Sequence, residues 1–344
     1  MKKMISGAIA ALTLSAAAGS ALAQFGASPL LGQVLIVGEN GTVTGVLADN
    51  LDTPRGTALA PNGDFFVSVT GGLGGASGFI LKVNTETLES ETIISDISPF
   101  DLEIDPISGD LFISDASSNS ILRFDTQTSE VTTFATGFTP SGLGFAPNGD
   151  LFAGMQASDP TSAGTAGLAQ IDQFGNVTQV GILDNPFDVQ VDSQGNVFVN
   201  NVIPGASLGS PSDGEIAFFE GLGAVGSTIL SAPIESLTFS PTAIRGLAIG
   251  PVGSEIEDQI FATTGLFQIV AFDPFDPNNF DPSFLGDVFA GPPISNIADP
   301  FAFDIQFLPG GGFQFIVATD EIPAPTTAAA LAIGGLAASR RRRN

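Results

Sequence analysis

A chain of 344 residues with no Cys, His, Trp or Tyr has few groups with which to do chemistry. Thiol nucleophiles, imidazole acid–base catalysis, disulfides and the usual zinc ligand sets are all excluded. Carboxylates, hydroxyls, amides and a few arginines remain, and they recur at one position of a repeated segment. Asp101, Asp188 and Asp304 each follow a phenylalanine (Phe100, Phe187, Phe303), whereas Gly56, Gly142 and Gly246 hold that place in the intervening copies, preceded by Arg55, Ser141 and Arg245. Three carboxylates brought together repel unless a cation or the two arginines neutralise them. Calcium, a hard cation that takes oxygen ligands, is therefore the candidate cofactor, with Asp101, Asp188 and Asp304 as candidate ligands. Arg55, Arg245 and Ser141 are the candidate ligand-binding residues, the arginines suited to a carboxylate or a sulfated sugar. Each group also has a plainer role: the aspartates accepting backbone N–H bonds from a neighbouring repeat, the arginines pairing with the nearest Asp. No catalytic residue is assigned. Ser141 has no His or evident Lys to serve as its base, and the carboxylate spacing that would mark a glycosidase cannot be read from sequence.

The elements that must position these residues are strands. The repeat runs about 41 to 59 residues from copy to copy, beginning at Pro54, Pro99, Pro140, Pro186, Ile244 and Phe303. A short alternating stretch is followed by a turn such as Asn62-Gly63, Ser108-Gly109, Asn148-Gly149 or Gln194-Gly195, where glycine supplies positive φ and closes a hairpin. Second strands follow at once (Phe65-Phe66-Val67, Leu111-Phe112-Ile113, Leu151-Phe152-Ala153, Val197-Phe198-Val199), rich in β-branched and aromatic residues. Third strands include Phe79 to Val83, Ile121 to Phe124 and Phe267 to Val270, and short fourth strands include Thr92 to Ile94 and Val131 to Phe134. Six copies of four antiparallel strands predict an all-β, six-bladed β-propeller, a radial arrangement that leaves only short protected edges. The last copy supplies only two strands before the C-terminal segment. Two N-terminal strands, Val34 to Val37 and Val43 to Leu47, are left over, so the last blade is expected to be closed by them.

Both ends read as addresses flanking this body, each built on a short apolar helix. Met1 to Met4 is a basic leader, an apolar run follows, and Ala21-Leu22-Ala23 is a small-x-small cleavage site, so residues 1–23 are expected to be a signal peptide. Residues 321–344 carry Pro323-Ala324-Pro325, an apolar stretch from Ala328 to Ala338 and then Arg340, Arg341, Arg342 and Arg343. Such a stretch is marginal for crossing a bilayer, with a basic flank that stays on the cytoplasmic side. Between them, residues 24–320 hold four basic residues against 35 acids, a formal charge of −31. A body so acidic repels nucleic acid and anionic lipid and suits a salty or cation-rich exterior. A Phe- and Asp-Pro-rich insertion at 272–282 reads as a solvated loop, and the glycines at 71–75 lack the following helix and Lys of a phosphate loop.

Two resemblances carry these readings further. The C-terminal order of Pro-x-Pro, apolar helix and Arg cluster resembles the PEP-CTERM sorting signal, with Ala324 where that signal has Glu. It implies an exosortase-type processing enzyme as a partner, transient inner-membrane contact through the tail, and export to the envelope or extracellular matrix, where a polysaccharide or other matrix component is a candidate partner. The blade openings, Pro-x-Gly/Asp followed by an apolar strand and an Asp-x-x-Gly-like turn, resemble the NHL and gluconolactonase-like six-bladed propellers. That resemblance implies a fold that hosts lactonases, esterases, lyases and binding scaffolds alike. Its lactonases hold a divalent metal with Glu, Asn and Asp, a set not matched by three aspartates. The expected function is thus an exported, non-catalytic binding or scaffold protein, with a metal-dependent hydrolase or lactonase at the central channel as the alternative.

Overall fold

The structure is a computed structural model, and it describes residues 32–37, 43–71, 77–85, 87–157, 166–201, 214–223, 235–239, 244–250, 257–264, 269–272, 302–307 and 315–319. The described chain is built of strands. In order they are β1 (Gly32–Val37), β2 (Val43–Leu51), β3 (Pro54–Leu59), β4 (Asp64–Val69), β5 (Gly78–Asn84), β6 (Ser90–Ile97), β7 (Pro99–Ile104), β8 (Leu111–Asp115), β9 (Ser120–Phe124), β10 (Val131–Thr136), β11 (Thr139–Phe145) and β12 (Leu151–Gln156). They continue with β13 (Gly167–Ile171), β14 (Val177–Ile182), β15 (Pro186–Val191), β16 (Val197–Asn201), β17 (Gly214–Phe219), β18 (Glu235–Phe239), β19 (Ile244–Ile249), β20 (Ile260–Thr264), β21 (Ile269–Phe272), β22 (Ala302–Phe307) and β23 (Phe315–Thr319).

Pairing is antiparallel between chain neighbours. The first sheet is β3-β4-β5-β6, the second β7 to β10, the third β11 to β14, the fourth β15 to β18 and the fifth β19-β20-β21. A terminal sheet, ordered β2-β1-β23-β22, joins the two ends of the described chain, with Val34 opposite Ala318 and Leu35 opposite Val317. The first strands of successive sheets lie side by side, β3 by β7, β7 by β11, β11 by β15, β15 by β19, β19 by β22 and β22 by β3. This is a β-propeller. The expected third strand of the fifth sheet is described from Ile269, Phe267 and Gln268 lying outside the described residues, and the fourth sheet has an outer strand, β18, that the alternation of its sequence did not announce.

Side-chain alternation explains why the sheets stack. A strand inside a propeller is covered on both faces, and β4 is buried at every position after Asp64. Phe65 and Val67 point to one neighbour, packing with Val34, Ile36, Leu47 and Leu51 of the terminal sheet. Phe66 points to the other, packing with Leu102, Leu111, Ile113 and Phe124 of the second sheet. The same period of two places Phe152 and Leu168 against Val189, Val197 and Phe219 between the third and fourth sheets. It also places Phe198 and Ile216 against Leu247, Ile260 and Ala262 between the fourth and fifth. Outer strands differ: β6 and β10 are largely exposed, and their sequences are correspondingly polar.

The interiors of these interfaces and the turn tips should therefore respond in opposite ways. Phe152→Ala, fully buried, is expected to lower unfolding free energy by about 3–5 kcal/mol. Phe174→Ala, 78% exposed, should shift it by less than about 0.5 kcal/mol. Urea unfolding of the two variants measures both.

Candidate functional site at the start of the inner strands

Every innermost strand carries one extra residue at the same height. The register against the second strand jumps between Pro54 and Thr57, Pro99 and Leu102, Pro140 and Leu143, Pro186 and Val189, Ile244 and Leu247, and Ala302 and Asp304. A β-bulge leaves the extra residue out of the ladder and re-aims its side chain. The candidate residues sit on these bulges.

A bulge also leaves backbone N–H groups without ladder partners, and buried ones must find others. Gly56 N donates to Ser68 Oγ at 2.8 Å, and Asp101 N donates to Ser114 Oγ at 2.8 Å. The Ser68 hydroxyl in turn donates to the Phe100 carbonyl of the next sheet at 3.1 Å. In the third sheet glycine, Gly154, stands at the corresponding place, and the hydroxyl comes from the inner strand instead. Ser141 Oγ lies where a side chain on Gly154 would be and donates to the Pro186 carbonyl at 2.8 Å, which Gln156 Nε2 also reaches. Ser141 is thus a buried structural hydroxyl bridging two sheets.

The two described aspartates do the same with their carboxylates. Asp101 Oδ2 accepts from Leu143 N at 2.7 Å, and Asp188 Oδ2 from Leu247 N at 2.5 Å. Each bond runs from one inner strand to the next. Glycine before each aspartate makes room: a Cβ on Gly56 would stand 2.5 Å from Asp101 Oδ1, and one on Gly142 would stand 2.6 Å from the Phe187 carbonyl oxygen. The alternation of Gly and Asp is therefore a packing rule of the inner wall. Burial pushes the Asp188 carboxyl up to about 7, against the N–H bonds of Leu247 and Val189 and the Gln190 side chain, which favour ionisation. Among the described residues no three carboxylates gather at metal-binding spacing. Asp304 lies on β22 and Arg245 on β19, with side chains outside the described residues. The Glu, Asn and Asp metal set implied by the resemblance is not matched by residue type at Asp101, Asp188 and Asp304, and Asp101 and Asp188 each commit one oxygen to a backbone amide.

Around these bonds the half-buried residues form a stack. The Arg55 guanidinium lies 4.8 Å above the Phe100 ring, and Phe100 meets Phe187 at 5.5 Å with a 54° tilt. A cation over an aromatic face occupies the bulge of the first sheet, and the rings of the second and fourth sheets meet beside the small Ser141-Gly142 bulge of the third.

Elsewhere among the described residues, two cations pair with acids. Arg123 forks onto Asp110 (Nε at 2.8 Å), and Lys82 Nζ lies 3.1 Å from Asp64 and 3.7 Å from Glu91. The Lys82 pairs cross a groove of about 580 Å3 lined by Asp64, Lys82, Asn84, Glu89, Ser90 and Glu91. Burial works against ionisation of Asp115, but bonds from Ser118, Ser117 and the Ser98 amide outweigh it and hold the carboxyl below its usual value. Sequence reasoning missed Ser68, Ser114 and Gln156; the signal available was a serine in the second strand twelve or thirteen residues after the bulge. The insertion at 272–282 lies almost wholly outside the described residues, and residues 1–23 and 321–344 entirely so.

No protein-family model matches this chain, and no curated protein matches it. Solved structures are similar in fold. A gluconolactonase from Xanthomonas campestris has 13% identity and a TM-score of 0.53, covering 85% of this chain and 91% of that one. The PQQ-bound aldose sugar dehydrogenase of Streptomyces coelicolor has 15% identity and a TM-score of 0.50, over 86% and 99%. A chain of a nidogen/laminin complex has 13% identity and a TM-score of 0.50, over 70% and 89%. At these identities the likeness is one of fold, the β-propeller, and leaves activity to the residues.

Asp188 gives the site a pH signature. Its folded value of about 7 lies above the ordinary 3.8, so between these values the folded state holds a proton that the unfolded chain releases. Stability falls as pH rises from about 4 to 7 and levels off above. Asp188→Asn keeps an oxygen for Leu247 N and removes the titration, so its urea midpoint should lose this decline. An identical slope in both proteins contradicts the assignment. Ser114→Ala, which strips the acceptor from Asp101 N, should cost about 1–3 kcal/mol in the same assay.

Proposed function

We propose that this chain is an exported, non-catalytic binding or scaffold propeller of six blades, working in the cell envelope or extracellular matrix. The observation that carries the reading is the engagement of the best-placed polar groups. Asp101, Asp188 and Ser141 each spend a side-chain oxygen on a backbone partner in the adjoining sheet, which builds a rigid wall from the residues a reaction would need free. The ring reading is supported by the succession of inner strands, which runs from β3 to β22 and back to β3, and by the pairing of β1 with β23. Export is supported by the signal-like leader and by the Pro-x-Pro, apolar and Arg-rich tail. On this reading the tail makes transient contact with the inner membrane and is handed to an exosortase-type enzyme, while the −31 body stays clear of nucleic acid and anionic lipid.

The second reading is a metal-dependent hydrolase or lactonase. It is favoured by the poise of Asp188 near 7 and by fold neighbours named as a gluconolactonase and a sugar dehydrogenase. Incubating the purified protein with sugar lactones, with and without calcium, decides between them. The scaffold reading expects no calcium-dependent hydrolysis and no calcium-induced rise in melting temperature. Lactone turnover that calcium supports and Asp101→Asn or Asp188→Asn abolishes would overturn it.

A further inference from the structure

We infer that the turn end of the propeller, opposite the end at which the inner strands start, is a docking surface for a basic polypeptide segment whose apolar side chains alternate with cationic ones, centred on Ile107, Val131 and Phe174. This deepens the scaffold reading by naming a class of partner, and it rests on that reading.

In each meander the turns from first to second strand and from third to fourth come out at one end. Neighbouring turns there meet: Ser193 of the fourth sheet bonds Asp258 of the fifth through both its N–H and Oγ (3.2 and 2.9 Å), and a Cβ on Gly149 of the third sheet would stand 4.0 Å from Ile107 Cδ1. Six described large apolar side chains are exposed, and four of them, Leu88, Ile107, Val131 and Phe174, lie at this end. Ile107 and Phe174 are the extremes, at 83% and 78% exposure.

The fold does not ask for them. Ile107 N donates to Asp105 Oδ1 and Phe174 N to Asp172 Oδ1, and the equivalent turns place Gln127 and Gln194 on the same kind of bond, to Asp125 and Asp192. A polar residue serves that turn equally well, so the turn geometry itself does not require an apolar one. The turns are also held in place. Gly175, at φ +82°, backs directly onto the Phe134 carbonyl of β10, so Phe174 is presented by a fixed support that spares a partner part of the ordering cost.

Charge selects the occupant. Ile107, Val131 and Phe174 each have a carboxylate within two residues along the chain, Asp105, Glu130 and Asp172. Hydrogen bonds from the Asn176 side chain and backbone hold Asp172 below the ordinary carboxylate range, as those of the Thr128 and Gln127 amides do for Asp125. Of the cations of these sheets, Arg55 stands on the bulge at the opposite end, and Lys82 and Arg123 are already matched by Asp64, Glu91 and Asp110. Nucleic acid, anionic lipid and a second copy of this acidic body all meet repulsion. A basic segment with interspersed apolar residues meets attraction and a place for its side chains.

The test titrates the full chain with two labelled peptides, one alternating arginine and leucine and one alternating arginine and serine. The arginine–leucine peptide should bind about tenfold tighter. Ile107→Ser with Phe174→Ser, both surface changes, should bring the two peptides to parity. Asp52→Asn with Asp96→Asn, at the opposite end, should leave both affinities within about twofold. Equal binding of the two peptides, no binding, or an equal loss from changes at either end would overturn the inference. Lactone turnover with the peptide preference intact would instead remove the scaffold reading alone.

Discussion

Neighbouring sheets of a propeller share no ladder of backbone bonds, so the inner wall depends on side chains that cross from one inner strand to the next. Here that crossing is a carboxylate-to-amide bond: Asp101 to Leu143 and Asp188 to Leu247. A bulge turns the aspartate out of its own ladder, and the missing Cβ of Gly56 or Gly142 leaves room behind it. Such a hydrogen bond adds about 0.5–1.5 kcal/mol net, about 1.5–3 kcal/mol when the acceptor is ionised, and losing one partner in a buried setting costs more than the bond adds. The hydroxyls of Ser68 and Ser141 repeat the logic with neutral groups. A wall built this way is stiff, and its polar groups are already committed.

The acidity of the chain follows partly from the same habit. Asp105, Asp125, Asp172 and Asp192 each accept a backbone N–H two residues on, closing a turn that would otherwise leave donors unpaired. A carboxylate does this without needing a cation beside it, provided water or a side-chain amide, as Asn176 and Asn196 supply to Asp172 and Asp192, reaches its other oxygen. Many acids can therefore be carried with few lysines, at the expense of self-repulsion that dissolved salt screens. The surface that results is selective by charge. Apolar side chains set among such carboxylates, as at Ile107 and Phe174, make the turn end chemically distinct from the end bearing the Arg55, Phe100 and Phe187 stack.

Strand positions were legible in the sequence because a covered strand must be apolar on both faces and a hairpin needs a residue at positive φ. Phe65-Phe66-Val67 with Asn62-Gly63 before it announces both requirements. The Gly and Asp alternation at 56, 101, 142 and 188 was equally visible as a pattern, but its cause was not. A bulge is a register event between two strands, and no residue type at Asp101 distinguishes a carboxylate aimed at a metal from one aimed at Leu143 N. Ser141 was similarly ambiguous until Gly154 was seen to leave a space that its hydroxyl fills. Thr53, at φ 59° in the connection leading to β3, carries no sequence mark of a left-handed conformation that glycine would normally take. The residue types of Ile107 and Phe174 do not mark them as exposed, because exposure depends on which way a turn faces.

The account stands on the two inter-strand amide bonds, and amide hydrogen exchange at Leu143 and Leu247 tests them most directly. If the carboxylates of Asp101 and Asp188 hold the inner wall, these two amides exchange only through global unfolding, as slowly as the ladder amides of β12 and β16. Exchange at either position orders of magnitude faster than in those strands would mean that the inner wall opens locally and that the aspartates are free for another task.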